Sequence, residues 1–348
     1  MVVLGMMSGT SLDGVDMALC EFADGGSEYK VLATRAVPYS DGWRRRLGSL
    51  VGASALEYAL ADMELGRLFG KLASDFLHDT GLKADAVASH GHTVFHQPAA
   101  GLTTQIGDAD AIAAATGLPV VWRFRQLDVA LGGQGAPLVP MGDRLLFGRY
   151  DARLNLGGIA NISYGSTGFD VCPCNQVFNR LAERLGKPYD DDGGLARRGR
   201  IDASLLARLE ALGYYRLQPP KSLGREWVDA EVWPLFEDSP LPVGDLLATA
   251  VRHVVLRVAD ACHAAAPPAV AKLLVTGGGA RNGFLVESLR AALPQAEVVV
   301  PDAQTLDFKE AIVFALLGYL RLSGQVNTLR SVTGARRDSI GGNISGVL

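Results

Sequence analysis

The stretch that decides the fold is MVVLGMMSGTSLDGVDMALCEF, residues 1–22. It holds two apolar runs, at 1–7 and 15–22, on either side of a polar turn that contains glycine. A third run follows at 29–38, after the Asp-Gly-Gly turn at 24–26. Short apolar runs separated by such turns are typical of β-strands joined as hairpins. The opening therefore predicts a three-stranded β-meander.

Helices and strands alternate after this meander. The pattern predicts a helix over 56–78, a short strand at 85–89, a helix over 108–116 and a strand at 118–124. A second meander spans 153–171, and alternating helices and strands follow it as they follow the first. The repeat predicts two α/β domains, each built on a βββαβα unit and facing a central cleft. We place the N-terminal domain at 1–126 plus 325–348 and the C-terminal domain at 127–324.

Composition excludes several classes of protein. Glycine makes up 41 of 348 residues, roughly 12% against about 7% in an average protein, and follows no collagen period. The net charge is −4 and no basic run occurs, which argues against nucleic-acid binding. No apolar run suits a membrane span, no signal-peptide layout opens the chain, and four cysteines are too few for a disulfide framework. We therefore expect a soluble, cytoplasmic α/β protein that binds neither nucleic acid nor a membrane.

The first hairpin turn is a candidate phosphate-binding segment. It comprises Gly9, Thr10, Ser11, Leu12, Asp13, Gly14, Val15 and Asp16. Glycines let main-chain N–H groups approach a ligand closely, and Thr10 and Ser11 add hydroxyl donors. Asp13 and Asp16 could hold Mg²⁺, directly or through water. An ordinary hairpin turn would explain the same residues equally well.

Two further glycine clusters lie in the second half. Gly157 and Gly158 occupy the matching hairpin turn, where they would face the first turn across the cleft. The triplet Gly277, Gly278 and Gly279 lies between a buried strand and a helix, where main-chain amides favour anions. With Gly283 one position late, this cluster also imitates a dinucleotide-binding fingerprint. A NAD-dependent dehydrogenase is therefore one alternative.

Two polar features could carry chemistry. Asp170 ends a predicted strand just before a helix, which suits a general base and equally a helix cap. His90, His92 and His96 follow another strand. We interpret them as loop residues that bind a substrate or support the loop, in preference to a metal site, because no cysteine or carboxylate run accompanies them.

A series of motifs resembles one family. MSGTSLDGVD, SHGHTVFH, TQIGD, GGQGAPLVP, NLGGIANIS, PKSLGREW, TGGGARN and SVTGARR run in order from Met7 to Arg337. The series strongly resembles the anhydro-N-acetylmuramic acid kinases. The resemblance implies the two-domain actin-like ATPase fold (sugar kinase/Hsp70/actin), which agrees with the duplicated meander.

The resemblance also implies a reaction in peptidoglycan recycling. Water opens the 1,6-anhydro ring of anhydro-N-acetylmuramic acid while O6 takes the γ-phosphate of ATP, giving N-acetylmuramate 6-phosphate and ADP. The implied cofactors are ATP and Mg²⁺, the implied partner is the small amino sugar, and the family suggests a homodimer.

Site residues follow from the matching motifs. The resemblance makes Asp170 the catalytic aspartate, which takes a proton from the attacking water. It makes the two hairpin turns the phosphate segments and residues 277–279 the adenosine-side loop. Thr93, Arg125 and Glu310 fall where sugar contacts are expected, with Arg125 suited to the lactyl carboxylate.

This chain departs from the family beside Asp170. The family usually reads Asp-Thr-Gly-Pro-Gly-Asn, whereas residues 170–175 read Asp-Val-Cys-Pro-Cys-Asn. If the glycine positions require positive φ, Cys172 and Cys174 each cost about 1–2 kcal/mol of strain. The departure leaves a second alternative, a non-catalytic ATP-binding module of the actin-like fold.

Overall fold

The computed structural model describes residues 1–9, 11–165, 167–219, 221–237, 239–265 and 270–346. The chain divides into two compact units. The first consists of Met1–Gly148 with Asp307–Leu348, and the second of Arg149–Leu306. Within the described ranges, no helix combines the length and the apolar character needed to span a bilayer.

Twelve strands and fourteen α-helices are assigned within those ranges. The strands are β1 (Val2–Ser8), β2 (Gly14–Ala23), β3 (Glu28–Pro38), β4 (Ala86–Gln97), β5 (Leu102–Ile106), β6 (Val120–Trp122), β7 (Ala152–Leu156), β8 (Ile159–Tyr164), β9 (Thr167–Pro173), β10 (Lys272–Thr276), β11 (Glu297–Val299) and β12 (Asn343–Ser345). The helices are α1 (Asp41–Ser49), α2 (Ala55–Thr80), α3 (Ala109–Thr116), α4 (Gln126–Ala130), α5 (Val139–Leu145), α6 (Asn175–Glu183), α7 (Gly194–Arg198), α8 (Ala203–Glu210), α9 (Arg225–Trp227), α10 (Trp233–Glu237), α11 (Val243–Ala264), α12 (Gly283–Ala292), α13 (Ala303–Leu322) and α14 (Arg330–Thr333).

The first unit is built on a seven-stranded sheet. Its order is β12-β6-β4-β1-β2-β3, and β5 pairs with β4 beside this path. The meander β1-β2-β3 is antiparallel, whereas β4 pairs in parallel with both β1 and β6. The meander buries Leu4, Met6, Met17 and Leu19 against residues of α2. The alternating apolar positions of the opening stretch thus form one wall of the core.

Two glycines let the main chain of this unit pack closely. A Cβ on Gly5 would lie 2.0 Å from the carbonyl oxygen of Ala311. Strand β1 and helix α13 can therefore pack this closely only because residue 5 is glycine. A Cβ on Gly14 would lie 2.2 Å from the carbonyl oxygen of Val37. These positions fix α13 and the first hairpin on the sheet.

The second unit is built on a five-stranded sheet. Its order is β11-β10-β7-β8-β9, with β7-β8-β9 antiparallel and β10 parallel to both β7 and β11. Its hydrophobic core contains the inward residues of this sheet and one face of α11, including Val251, Val255 and Val258. Both units therefore begin with an antiparallel meander whose first strand pairs in parallel with the next strand of the sheet. This confirms the α/β class and the duplicated meander of the predicted fold.

The structure differs from the predicted elements at two places. The strand expected at 85–89 extends to Gln97, because residues after Ser89 pair with β5. His90, His92 and His96 consequently lie within a strand, and the prediction of a loop there is wrong. The predicted domain boundaries at 126 and 324 also differ from the bounds of the compact units, because 127–148 and 307–324 make their contacts within the first unit.

Candidate active site

Side chains of the first hairpin turn close the turn. The Ser11 hydroxyl donates to Oδ1 of Asp13 at 2.8 Å, and the Gly14 N–H donates to the same oxygen at 3.0 Å. Leu12 adopts a φ of 59°, in the left-handed region. The segment predicted to bind phosphate is thus a tight turn whose main chain and Asp13 lie at the protein surface.

Other members of that segment offer less. Val15 is buried in the core and pairs with Val37 of β3, so it is not accessible to a ligand. A Cβ on Gly9 would lie 3.2 Å from Oγ of Ser11, which is a tight but adjustable contact. Thr10 lies outside the described residues.

Four carboxyl groups of the first unit influence one another. Burial, followed by the carboxylates of Asp13, Glu310 and Asp307, raises the pKa of Asp16 to about 6. Burial also raises the pKa of Glu310, and Arg125 opposes this rise. Like charges in partial burial favour uptake of a proton or a cation. The structure therefore places Asp13 and Asp16 of the first hairpin turn in one electrostatic neighbourhood with Glu310, which was predicted separately as a sugar contact.

Magnesium fits Asp13 and Asp16 only together with a ligand. No group of three or more His, Cys, Asp or Glu side chains in the described ranges is arranged to hold a metal. Mg²⁺ is usually bound by one or two carboxylates, the remaining positions being filled by substrate phosphates and water. Burial first, and then the neighbouring carboxylates, raise the pKa of Asp16, and a bound cation would offset the repulsion among these carboxylates. The two carboxylates therefore suit a metal that arrives with a polyphosphate.

Arg125 is oriented by a neutral histidine. Its Nε donates to Nε2 of His90 at 3.0 Å, and its Nη1 donates to the carbonyl oxygen of Gly135 at 2.7 Å. Nδ1 of His90 lies 2.9 Å from the carbonyl oxygen of Gly91, so we assign the proton to Nδ1. Burial, with Arg125 adding, lowers the pKa of His90 to about 3, so the ring stays a neutral acceptor. The predicted sugar contact Arg125 is thereby held in one orientation, and His90 acts as its support.

A buried carboxylate organises the loop that supplies Gly135. Asp128 is 1% exposed, and its Oδ2 accepts from the Gly135 N–H at 2.7 Å. Its Oδ1 accepts from the Thr333 hydroxyl at 2.7 Å. The glycine motif at 132–137 and the motif at 331–337 are therefore joined through Asp128. Asp128 could not be selected from sequence, because a single Asp in a short helix is not a recognisable pattern.

Thr93 and its neighbours form a polar row on β4 and β5. Nε2 of Gln105 donates to Oγ1 of Thr93 at 3.4 Å, and Oε1 of Gln105 is buried with no partner among the described residues. Nδ1 of His92 lies 3.2 Å from Oγ of Ser8, which also contacts the Tyr39 hydroxyl. The predicted sugar contact Thr93 thus lies in a group with unused hydrogen-bonding capacity.

In the second unit, Asn175 joins the two glycine clusters. Its N–H donates to the carbonyl oxygen of Gly157 at 3.1 Å, and its Nδ2 donates to that of Leu156 at 2.9 Å. A Cβ on Gly279 would lie 3.2 Å from Oδ1 of Asn175. Gly277 has a φ of 83°, and a Cβ there would lie 2.6 Å from Oδ1 of Asn155, so glycine is required. Gly157, Gly158 and Gly277–Gly279 therefore share one edge of this sheet.

Asp170 lies on β9 and does not cap the next helix. Helix α6 begins at Asn175 after the cap residue Cys174, so the capping alternative is wrong. Oδ2 of Asp170 instead accepts from the N–H of Leu223 at 2.9 Å. The hydroxyl of Tyr214 donates to the carbonyl oxygen of Asp170 at 2.5 Å. The predicted base is thus a fixed, half-buried carboxylate.

The two cysteines beside Asp170 are core residues. Cys172 and Cys174 are both 0% exposed and pack with Val177 and Phe178. Neither belongs to the described non-glycine residues with positive φ, so the predicted backbone strain is wrong. The expected strain depended on positive φ at these positions, and that condition is not met. Burial raises the pKa of both thiols, which disfavours the reactive thiolate form.

Sequence reasoning missed the partners of Asp170. Tyr214 and the N–H of Leu223 hold it, and neither was selected. The motif PKSLGREW, which contains Leu223, was the available signal, but it contributed only to the resemblance.

Comparisons with known proteins identify the family of this chain. The family model described as anhydro-N-acetylmuramic acid kinase matches residues 1–346. A protein of that name from Gloeobacter violaceus is 40% identical, over 97% of this chain and 96% of its own. One from Vibrio cholerae is 37% identical, over 96% of this chain and 95% of its own.

Among solved structures, component A of (R)-2-hydroxyglutaryl-CoA dehydratase from Acidaminococcus fermentans has a TM-score of 0.48 and 14% identity. That match covers 93% of this chain and 99% of the other. A likeness at this level carries no argument about function.

Proposed function

Since this chain belongs to the anhydro-N-acetylmuramic acid kinase family, we propose that it converts anhydro-N-acetylmuramic acid and ATP into N-acetylmuramate 6-phosphate and ADP, in peptidoglycan recycling. The observation that carries the chemistry is the Asp170 carboxylate, which is held at Oδ2 by the Leu223 N–H. A carboxylate fixed in this way suits general-base catalysis.

In the reaction, Asp170 removes a proton from water as the water oxygen bonds to C1 of the sugar. The bond from C1 to O6 breaks, and its electron pair stays on O6. O6 then bonds to the γ-phosphorus of ATP as the bond to the β-γ bridging oxygen breaks, which releases ADP. Phosphoryl transfer depends on positioning and on charge stabilisation, which the nucleotide loops supply.

The sugar contacts lie in the first unit. Arg125 would bind the lactyl carboxylate through its guanidinium, which His90 and Gly135 already orient. Thr93 and Glu310 would form hydrogen bonds with the sugar hydroxyls. Glu310 is exposed to solvent, so its carboxyl group is accessible to a sugar hydroxyl.

The nucleotide contacts are divided between the units. Gly9–Gly14 and Gly157–Gly158 would bind the phosphates through main-chain N–H groups, and Gly277–Gly279 would lie against the adenosine. Asp13 and Asp16 would hold Mg²⁺, which neutralises phosphate charge when it is bound. The position of Gly277–Gly279 at the same sheet edge as Gly157 and Gly158 supports this assignment.

The cellular setting completes the proposal. The chain would act in the cytoplasm, where ATP is available, and as a homodimer, as the family suggests. Of the alternatives, a NAD-dependent dehydrogenase disagrees with the family to which the chain belongs. A non-catalytic ATP-binding module is the remaining alternative. The observation that suggested it, backbone strain at the cysteines beside Asp170, is absent from the structure.

One assay tests the proposed reaction. Purified protein with ATP and Mg²⁺ should release ADP only when anhydro-N-acetylmuramic acid is present. Asp170→Asn should lower turnover by about 10²–10⁴-fold while ATP still binds, because the general base is lost. Asp75→Asn, which changes a surface aspartate paired with Lys71, is the matched control. ATP binding without sugar-dependent ADP release would favour the non-catalytic module.

A further inference from the structure

Asp170 is held by a segment far along the chain. Leu223 donates its N–H to Oδ2 at 2.9 Å, and the N–H of Asp170 donates to the carbonyl oxygen of Lys221 at 3.3 Å. The Tyr214 hydroxyl donates to the carbonyl oxygen of Asp170 at 2.5 Å. These contacts engage both main-chain polar groups and one carboxylate oxygen, and they do not include Oδ1.

The position of β9 explains why such a segment is needed. β9 is the outer strand of its sheet, and no further strand pairs with its far edge in the part of the chain that the structure describes. Its pairing with β8 is interrupted, since Asn161 faces Asp170 whereas Ala160 faces Cys172. Such a bulge turns the side chain beside it, and an uncovered edge would leave that turn unsupported. The carbonyl oxygen of Lys221 accepts from the Asp170 N–H and so covers the free edge of β9 at Asp170, the residue whose side chain must be oriented.

The covering segment is itself anchored by aromatic rings. Nζ of Lys221 lies 4.6 Å from the ring centroid of Tyr214 and 5.7 Å from that of Phe169. The Tyr214 ring packs against Trp227 with centroids 5.4 Å apart, and Tyr214 is 6% exposed. Lys221, Leu223 and Trp227 all belong to the motif PKSLGREW. The motif therefore fixes both its own position and that of Asp170.

We propose that Tyr214 and residues 221–223 are positioning residues that present Oδ1 of Asp170 to the attacking water. The inference rests on the proposed function. The Leu223 N–H occupies Oδ2 and restricts the rotation of the carboxylate, so the proton that leaves the water is received on Oδ1. The Tyr214 hydroxyl holds the strand that carries the carboxylate.

A double-mutant cycle tests the role of Tyr214. Tyr214→Phe removes the hydroxyl and keeps the ring, and it should lower kcat about tenfold to a hundredfold with little change in the KM for ATP. In the Asp170→Asn background the same substitution should have no further effect on kcat, because the group that it positions is gone. Equal losses in both backgrounds would overturn the inference, since they would show a structural role that does not act through Asp170.

The N–H of Leu223 is tested by the separate effects on kcat and KM. Leu223→Pro removes the donor and should lower kcat about tenfold with little change in the KM for ATP, because Asp170 is then free to rotate. Leu223→Ala keeps the N–H and should leave kcat at its wild-type value. An unchanged kcat in a folded Leu223→Pro enzyme overturns this part of the inference. If that variant does not fold, the Tyr214 cycle decides alone.

The controls separate this inference from the proposed function. If Asp170→Asn itself retains turnover, the assignment of the base has failed and the positioning residues have nothing to position. If Asp170→Asn is inactive while Tyr214→Phe keeps the wild-type kcat, only the positioning role has failed.

Discussion

At the scale of single residues, Asp16 offers the clearest titration. Its pKa is raised to about 6 by burial and by three neighbouring carboxylates, including Asp13. We therefore expect the carboxyl carbon of Asp16 in ligand-free protein to titrate near pH 6 in an NMR experiment with ¹³C-labelled aspartate. Asp13→Asn should lower this midpoint, because one of the repelling charges is removed. Asp75→Asn should leave it unchanged, and an equal shift in both variants would contradict the assignment.

The same shift fixes a sign for stability. The pKa of Asp16 in the folded chain lies above its ordinary value of 3.8, so the folded form retains a proton that the unfolded form releases. The stability that Asp16 contributes at low pH is therefore lost as the pH rises from 3.8 to about 6. Asp16→Asn should stabilise the ligand-free protein more at pH 8 than at pH 4, as measured by urea denaturation.

At the scale of elements, the local sequence patterns predicted where strands lie but not which strands pair with each other. The meander was readable because apolar runs and glycine turns are local signals. The extension of β4 to Gln97 could not be predicted from local signals, because it depends on pairing with β5 and on a positive φ of 75° at Gly91. The contacts of Asp170 lie 44 and 53 positions away, and one of them is a main-chain N–H that any residue would supply. The ends of predicted strands thus identified the candidate site residues. The residues that hold them in place could be found only from the three-dimensional structure.

The cysteines of the β9–α6 connection give a prediction about stability. Because Cys172 is fully buried and lacks positive φ, its family residue, glycine, should fit this chain less well. Cys172→Gly should lower the free energy of unfolding by about 1–3 kcal/mol, through lost burial and added backbone freedom. Cys172→Ala, which keeps Cβ, should lose less in the same denaturation experiment. A glycine variant as stable as the wild type would show that the side chain does not contribute to packing.

At the scale of the whole molecule, the chain passes between its two units at residues 148–149 and 306–307. The second unit is a continuous segment, and the hydrophobic cluster of α11 and the five-stranded sheet lies entirely within it. A continuous segment with its own core meets the physical requirement for independent folding. The first unit instead needs both ends of the chain, because α13 packs on β1 beside Gly5.

Two fragments distinguish the contact-based division from the one predicted by sequence. Residues 149–306 should express as a soluble domain with a single cooperative urea transition, because no buried surface of the first unit is carried along. Residues 127–324 should aggregate or melt broadly, because they add apolar side chains that are buried in the first unit, such as Met141, Ile312 and Phe314. Circular dichroism and size-exclusion chromatography of both fragments measure the difference. If 127–324 folded cooperatively and 149–306 did not, residues 127–148 and 307–324 would belong to the second domain, as the sequence predicted.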